Sequence, residues 1–258
     1  MKAQPFFQKD FFVVGHRGAR GEAPEHTMAG FAMADKLGIP IEFDTMLCAS
    51  GEPVVIHDRS VDRTTDGVGQ VRSLSLQKLK SMNASVHFPG GFKPQKIPLL
   101  SEVLMEFKRI PWFNIEIKSP GSSKDIPEII DTILDTINNA GVIDKVICTS
   151  FNPFILARLY QVVPEIPRGI LRTSLFDTDV TFLHKLVVQS QWLDRYIKPT
   201  FFCPHESLVT PSLLHKQAQQ NRRILSWTVN QPQRAIQLRN LGNLGIITDY
   251  PKRILGYL

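Results

Sequence analysis

An α/β fold, a closed (β/α)8 barrel of TIM type with a small insertion at the C-terminal rim after strand two, is what the sequence predicts. Three observations predict it. Eight short apolar runs are separated by segments of helical pattern, and regular strand–helix alternation makes a parallel sheet. The runs are apolar throughout rather than alternating, the mark of strands covered on both faces. The chain has 258 residues, about the length of one such barrel, so residues 1–258 are expected to form a single domain. An open, doubly wound sheet is the alternative that the same pattern allows.

The strand runs, in order, are FFVVGH (11–16), IPIEFDTML (39–47), WFNIEIK (112–118), KVICTSF (145–151), RGILRT (168–173), YIKPTF (196–201), RILSWTV (223–229) and LGIITDY (244–250). Helical patterns occupy the intervals. The first, 27–37, starts at Thr27 as an N-cap and stops at Gly38, which suits a left-handed terminus. The next covers 101–109 from Ser101, and then 126–139 runs to Gly141. Helix 153–160 has Pro153 just inside its start after Asn152, where a missing N–H costs nothing. Segments 178–190, 211–221 and 232–241 complete the set. PVVIHD (53–58) breaks the alternation, because only ASGE separates it from strand two. Parallel neighbours need a crossover of about a dozen residues, so this connection is a hairpin outside the barrel. It turns near Gly51 and carries His57 back to the top of strand two. Residues 59–98 read as an irregular excursion over the same rim, so hairpin and insertion together span about 45–98.

Hydrophobic residues make up 43% of the chain, enough for a large core and against disorder. The net charge of +6 favours anionic partners. The basic residues are scattered, with no basic run or stacking track, which argues against nucleic acid. Cys48, Cys148 and Cys203 are far apart, consistent with a reducing compartment. No apolar run reaches the ~20 residues of a spanning helix, and Lys9 and Asp10 interrupt the N-terminal apolar segment. The expectation is a cytoplasmic protein with no stable membrane insertion. The oligomeric state is open.

The chemistry begins on strand two. Glu42 and Asp44 are two residues apart, so both point to one side of the strand while Ile41 and Phe43 take the other. Two carboxylates in one buried space repel each other and lose hydration. A divalent cation removes both problems, and oxygen ligands suit Mg²⁺, Ca²⁺ or Mn²⁺. Glu116 repeats the pattern on the next barrel strand, followed two residues on by the cation Lys118. Active sites of such barrels sit at this end of the strands. His16 ends the first strand, suited to proton transfer near neutral pH, and Arg17 offers a fork for phosphate oxygens. With His57 returned by the hairpin, two histidines supply one acid and one base. Phe151 and Trp227 end late strands and are candidates for the pocket wall. Asp249 ends strand eight as a supporting carboxylate or ion-pair partner. His87, His184, His205 and His215 are read as structural. Nucleophile-elbow, P-loop, dinucleotide and zinc-pair patterns are absent.

In order along the chain stand GHRG (15–18), PEHT (24–27), EFD (42–44), PVVIHD (53–58), DRTTDGVG (62–69), KIPLLSEVL (96–104), NIEIK (114–118), TSF (149–151), WTVN (227–230) and ITDYP (247–251). This series resembles the glycerophosphodiester phosphodiesterase family over nearly the whole chain. The resemblance implies hydrolysis of glycerophosphodiesters such as glycerophosphocholine or glycerophosphoethanolamine to glycerol 3-phosphate and an alcohol. It matches Glu42, Asp44 and Glu116 to metal ligands, His16 and His57 to the catalytic pair, and Arg17 and Lys118 to groups near the phosphate. Glu25 matches an acidic residue of the site region. One departure is His26, where the family usually has Asn. Rival readings are a lysophospholipase D or phospholipase C type of lipid phosphodiesterase, and a non-catalytic barrel that binds phosphodiesters.

Overall fold

The computed structural model describes residues 11–173 and 193–258. Among them are eight parallel strands in a closed barrel: β1 (Phe12–His16), β2 (Ile41–Leu47), β4 (Phe113–Ile117), β5 (Val146–Ser150), β6 (Arg168–Arg172), β7 (Phe201–Pro204), β8 (Arg223–Ser226) and β9 (Gly245–Thr248). Closure is by β1, which pairs in parallel with both β2 and β9. β3 (Pro53–Val55) is the expected hairpin strand, antiparallel to β2 with Thr45 opposite Val55. Gly51 turns between them at φ 93°, a conformation that costs glycine little. The closed barrel, not the open sheet, is the architecture.

The helices follow the signals that placed them. In α1 (Met28–Lys36) the Thr27 hydroxyl accepts from the Gly30 N–H. The insertion carries α2 (Leu76–Ser81). Helix α3 (Leu100–Glu106) starts before Ser101, because the Glu102 carboxylate reaches back to accept from the Leu99 N–H at 2.8 Å. Helix α4 (Ile126–Ala140) ends at Gly141 with φ 68°, and α5 (Pro153–Val162) is capped by Asn152. After α6 (Asp194–Ile197) come α7 (Pro211–Gln219), α8 (Pro232–Asn240) and α9 (Pro251–Leu255). The helix expected at 178–190 lies outside the described residues. Among those described, no helix is long and apolar enough to cross a membrane.

One strand lies elsewhere than the sequence predicts. YIKPTF (196–201) does not form β7. Its first half closes α6, and Lys198 turns left-handed at φ 47°. The buried Arg168 side chain fixes this end, donating to the carbonyls of Ile197 (2.8 Å) and Lys198 (3.1 Å). Those carbonyls are therefore unavailable to a sheet, and pairing starts only at Phe201.

Two apolar shells hold the barrel. Inside, Phe12, Val14, Trp112, Ile147, Leu171, Phe201, Leu225 and Ile247 pack together. Outside, Ile41, Phe43, Phe113, Ile115 and Ile117 pack on α1, α3 and α4. Strand alternation thus sends Glu42, Asp44 and Glu116 inward, away from the helices. A third cluster, including Met46, Val54, Val61, Leu79 and Ile97, gives the insertion its own small core against β2 and β3.

The turn after β1 depends on glycine. A Cβ on Gly15 would lie 2.0 Å from the Gly18 carbonyl oxygen, and one on Gly18 would meet the Gly30 backbone at 2.7 Å. Backbone atoms on both sides cannot yield as a side chain would. Gly15→Ala is therefore expected to cost about 2–3 kcal/mol, seen as a Tm lower by about 5–10 °C. An unchanged Tm would show that the turn relaxes.

Candidate active site

The carboxylates converge at the C-terminal end of the barrel. β2 and β4 pair in register, with Asp44 opposite Glu116 and Glu42 opposite Asn114. One oxygen from each of Glu42, Asp44 and Glu116 lies within 4.8 Å of the others, and all three residues are buried. Lys118 Nζ sits 2.8 Å from both Asp44 Oδ1 and Glu116 Oε1. With the Arg17 guanidinium, whose Nε is 3.7 Å from Asp44 Oδ2, two cations face three carboxylates. Burial, reinforced by the charges of Asp44 and Glu116, pushes the Glu42 carboxyl well above its ordinary range. Burial likewise pushes Glu116 up to about 7. At Asp44 burial works the same way, but Lys118, His26 and His57 outweigh it and hold the carboxyl well below its ordinary range. Neither Asp44 oxygen has a well-directed hydrogen bond, although both are buried. Three inward carboxylates crowded within 4.8 Å, two of them pushed up by burial, fit a divalent metal ion. This acidic trio can bind one.

His16 and His57 stand at the same rim, each with a carboxylate on Nδ1. His16 Nδ1 is 2.5 Å from Asp249 Oδ1, and its Nε2 is 3.9 Å from Glu42 Oε2. Asn230 fixes Asp249 twice: its Nδ2 donates to Oδ2 (2.8 Å), and its Oδ1 accepts from the Asp249 N–H (2.9 Å). His57 Nδ1 is 2.6 Å from Asp58 Oδ1. In each case the carboxylate orients the ring and leaves Nε2 for the pocket. Burial lowers the pKa of both histidines from 6.5, so both are neutral at pH 7 in the absence of ligand.

A chain of ion pairs links the two sides. Asp58 Oδ2 accepts from Arg63 Nε at 2.5 Å. Arg63 Nη1 and Nη2 then clasp Glu25 at 3.0 and 2.8 Å. Glu25 also takes Arg17 Nη1 at 2.8 Å and Arg20 Nε at 3.0 Å. Burial disfavours charge on Glu25, but the Arg63 hydrogen bonds and the charges of Arg17 and His26 hold it well below the usual carboxylate range. Arg17 itself adopts φ 51°, and its N–H donates to Glu42 Oε2 at 3.2 Å. Its guanidinium is buried beside Asp44 and Glu25.

His16, Arg17, Arg20, Glu42, His57, Glu116 and Lys118 border a cavity of about 510 Å³, lined also by Asn114, Thr149, Phe151, Leu171, Thr173, His205 and Trp227. Phe151 and Trp227 meet edge-on with centroids 5.6 Å apart. Both lie just past the strands in which the sequence placed them, as does Asp249. His26 is buried at φ 54°, and its Nε2 lies 3.0 Å from Asp44 Oδ2. The ring is closer to Asp44 than to Glu25, whose Oε1 is 3.9 Å from Nδ1.

Sequence reading overlooked Asp58, Arg63, Asn230 and His205. Asp58 directly follows His57, and Arg63 and Asn230 stand in DRTTDG and WTVN, so a signal was present without a partner to give it meaning. His205, read as structural, lines the cavity with its ring 5.3 Å from Trp227. His87 and His215 do not border it, and His184 lies outside the described residues.

A sequence model described as "Glycerophosphoryl diester phosphodiesterase family" matches residues 16–253. The glycerophosphodiester phosphodiesterase of Caldanaerobacter subterraneus subsp. tengcongensis is 30% identical over 245 residues, covering 94% of this chain and 96% of the relative. The enzyme of that name from Bacillus altitudinis is 29% identical, over 93% and 95%. Among solved structures, an Oleispira antarctica phosphodiesterase in complex with the product sn-glycerol-3-phosphate superposes with a TM-score of 0.84 at 27% identity, covering 95% of this chain and 96% of that one. A glycerophosphodiester phosphodiesterase from Agrobacterium tumefaciens shares the fold, with a TM-score of 0.77 at 21% identity over 95% and 99%. On this match across nearly its whole length, the chain belongs to the glycerophosphoryl diester phosphodiesterase family.

Proposed function

We propose that this protein is a metal-dependent glycerophosphodiester phosphodiesterase, converting substrates such as glycerophosphocholine or glycerophosphoethanolamine to sn-glycerol 3-phosphate and an alcohol. The observation that carries this reading is the pair of carboxylate-backed histidines, His16 with Asp249 and His57 with Asp58, beside one acidic trio. Product bound to the Oleispira antarctica relative supports the same substrate class.

Glu42, Asp44 and Glu116 would hold Mg²⁺, Ca²⁺ or Mn²⁺. When bound, that ion supplies charge neutralisation at the phosphoryl oxygens. Arg17 and Lys118 border the cavity with fixed positive charge for the remaining oxygens. One histidine, neutral, takes a proton from the nucleophile through Nε2, and the other, entering the step as the imidazolium beside the bound phosphate anion, gives its Nε2 proton to the departing alkoxide. Asp249 and Asp58 each hold a ring by Nδ1–H and direct Nε2 to the reaction. Phe151 and Trp227 offer an apolar wall to the carbon skeleton.

The test is release of glycerol 3-phosphate from glycerophosphocholine by purified protein, first in EDTA and then with each cation restored. Chelator-sensitive release is expected. Absence of release with every cation would overturn the reading and turn attention to lysolipid substrates.

A further inference from the structure

We propose that His205 receives the terminal hydroxyl of the glycerol arm, so that this arm, and not the alcohol head group, crosses the cavity to β7. This rests on the phosphodiesterase reading above. His205 directly follows β7 and borders the same cavity as His16, His57, Arg17 and Lys118. Round the barrel, β2 and β7 are separated by β1, β9 and β8 on one side and by β4, β5 and β6 on the other. His205 therefore faces the β2 carboxylates from the opposite wall. With its phosphate at Arg17 and Lys118, a diester reaches that wall with one arm.

The hydrogen bonds of the ring fix what it offers. The Ser207 N–H donates to His205 Nδ1 at 3.3 Å, and Ser207 Oγ lies 2.7 Å from the same nitrogen. A nitrogen that accepts an amide proton carries none of its own, so the neutral ring holds its proton on Nε2. Nε2 makes no hydrogen bond among the described residues. This is the reverse of His16 and His57, whose Nδ1 faces a carboxylate. His205 is thus a donor rather than a base. Its ring stands edge-on to Trp227 with centroids 5.3 Å apart, and the Trp227 N–H is spent on the Cys203 carbonyl at 2.9 Å. Phe151 continues the same wall beyond Trp227. Of these three rings, only His205 has an N–H left to give. Such a donor needs an oxygen with a free lone pair. A choline ammonium has none, and an ethanolamine ammonium is itself a donor. The glycerol arm carries hydroxyls. Its inner hydroxyl stays beside the phosphate, and its terminal hydroxyl is the one that reaches β7.

The experiment measures kcat/KM for glycerophosphocholine and for its analogue with hydrogen in place of the terminal glycerol hydroxyl, in the full chain with cation present. Wild type is expected to prefer glycerophosphocholine about tenfold, mostly through KM. His205→Phe keeps a ring against Trp227 but gives up the donor. There the preference is expected to fall to about one, with the analogue turned over as in wild type. His205→Gln, whose amide nitrogen can take the place of Nε2, is expected to keep a preference of about threefold or more. No preference in wild type, or an equal loss on both substrates in His205→Phe, overturns the assignment and leaves the ring as packing for Trp227. Wild type inactive on both substrates overturns the phosphodiesterase reading, and the glycerol site with it.

Discussion

Replacing His16 or His57 by Ala is expected to lower kcat by about 10³-fold or more, with the fold retained. Each ring is oriented by its own carboxylate on its own element, so neither can stand in for the other. If they act as acid and base in one displacement, the double variant should lose little more than either single one. Asp249→Asn is a sharper probe of His16. The amide keeps the size of the carboxylate but can offer its N–H to Nδ1, which would turn the ring's proton toward Glu42. A loss of about 10²-fold with an unchanged Tm is expected there. Steady-state rates, with circular dichroism as a check on folding, decide the matter. Near-normal turnover in either alanine variant would remove that histidine from the mechanism.

The reach of the sequence is clearest at β2. Its two inward acids, its two outward apolar residues and its hairpin to His57 all follow from the two-residue period and one short loop, and each is found in the structure. The expected strand at 196–201 fails for a reason no local pattern contains: Arg168, about thirty residues earlier, takes the carbonyls a strand would need. The same limit explains Asp58 and Arg63. Read singly they are surface charges, which are common and mostly inert. Only the fold brings Arg63 between Asp58 and Glu25 and makes them one chain from His57 to Arg17. His26 illustrates a third case. Its departure from the family's usual Asn is visible in the sequence, but its closer approach to Asp44 than to Glu25 depends on a left-handed backbone that places the ring under β2.

The acidic trio gives the second large effect, and its pH dependence has a definite sign. Glu116 is pushed up from 4.5 to about 7. Its contribution to stability is therefore complete below pH 4.5 and is lost as pH rises through about 7. The loss is about 1.4 kcal/mol for each pH unit between those two values, or about 3 kcal/mol by pH 8. Glu42, also raised, acts in the same direction. His16, His26 and His57 are lowered from 6.5 and act the opposite way, gaining stability as pH rises toward 6.5. A raw Tm profile mixes the two trends, so the informative quantity is Tm with cation minus Tm in EDTA. A cation binds the ionised carboxylates and offsets the cost of charging them. That difference is expected to be small at about pH 5.5 and to grow steadily to about pH 8. In Glu116→Gln it should nearly vanish, and activity should fall about 10²-fold or more and resist rescue by excess cation. A cation effect on Tm that is flat with pH, or equal in Glu116→Gln, would mean that the ion binds elsewhere. Lys118 and the buried Arg17 guanidinium would then have to be the groups that make three buried carboxylates tolerable, two cations against three such charges.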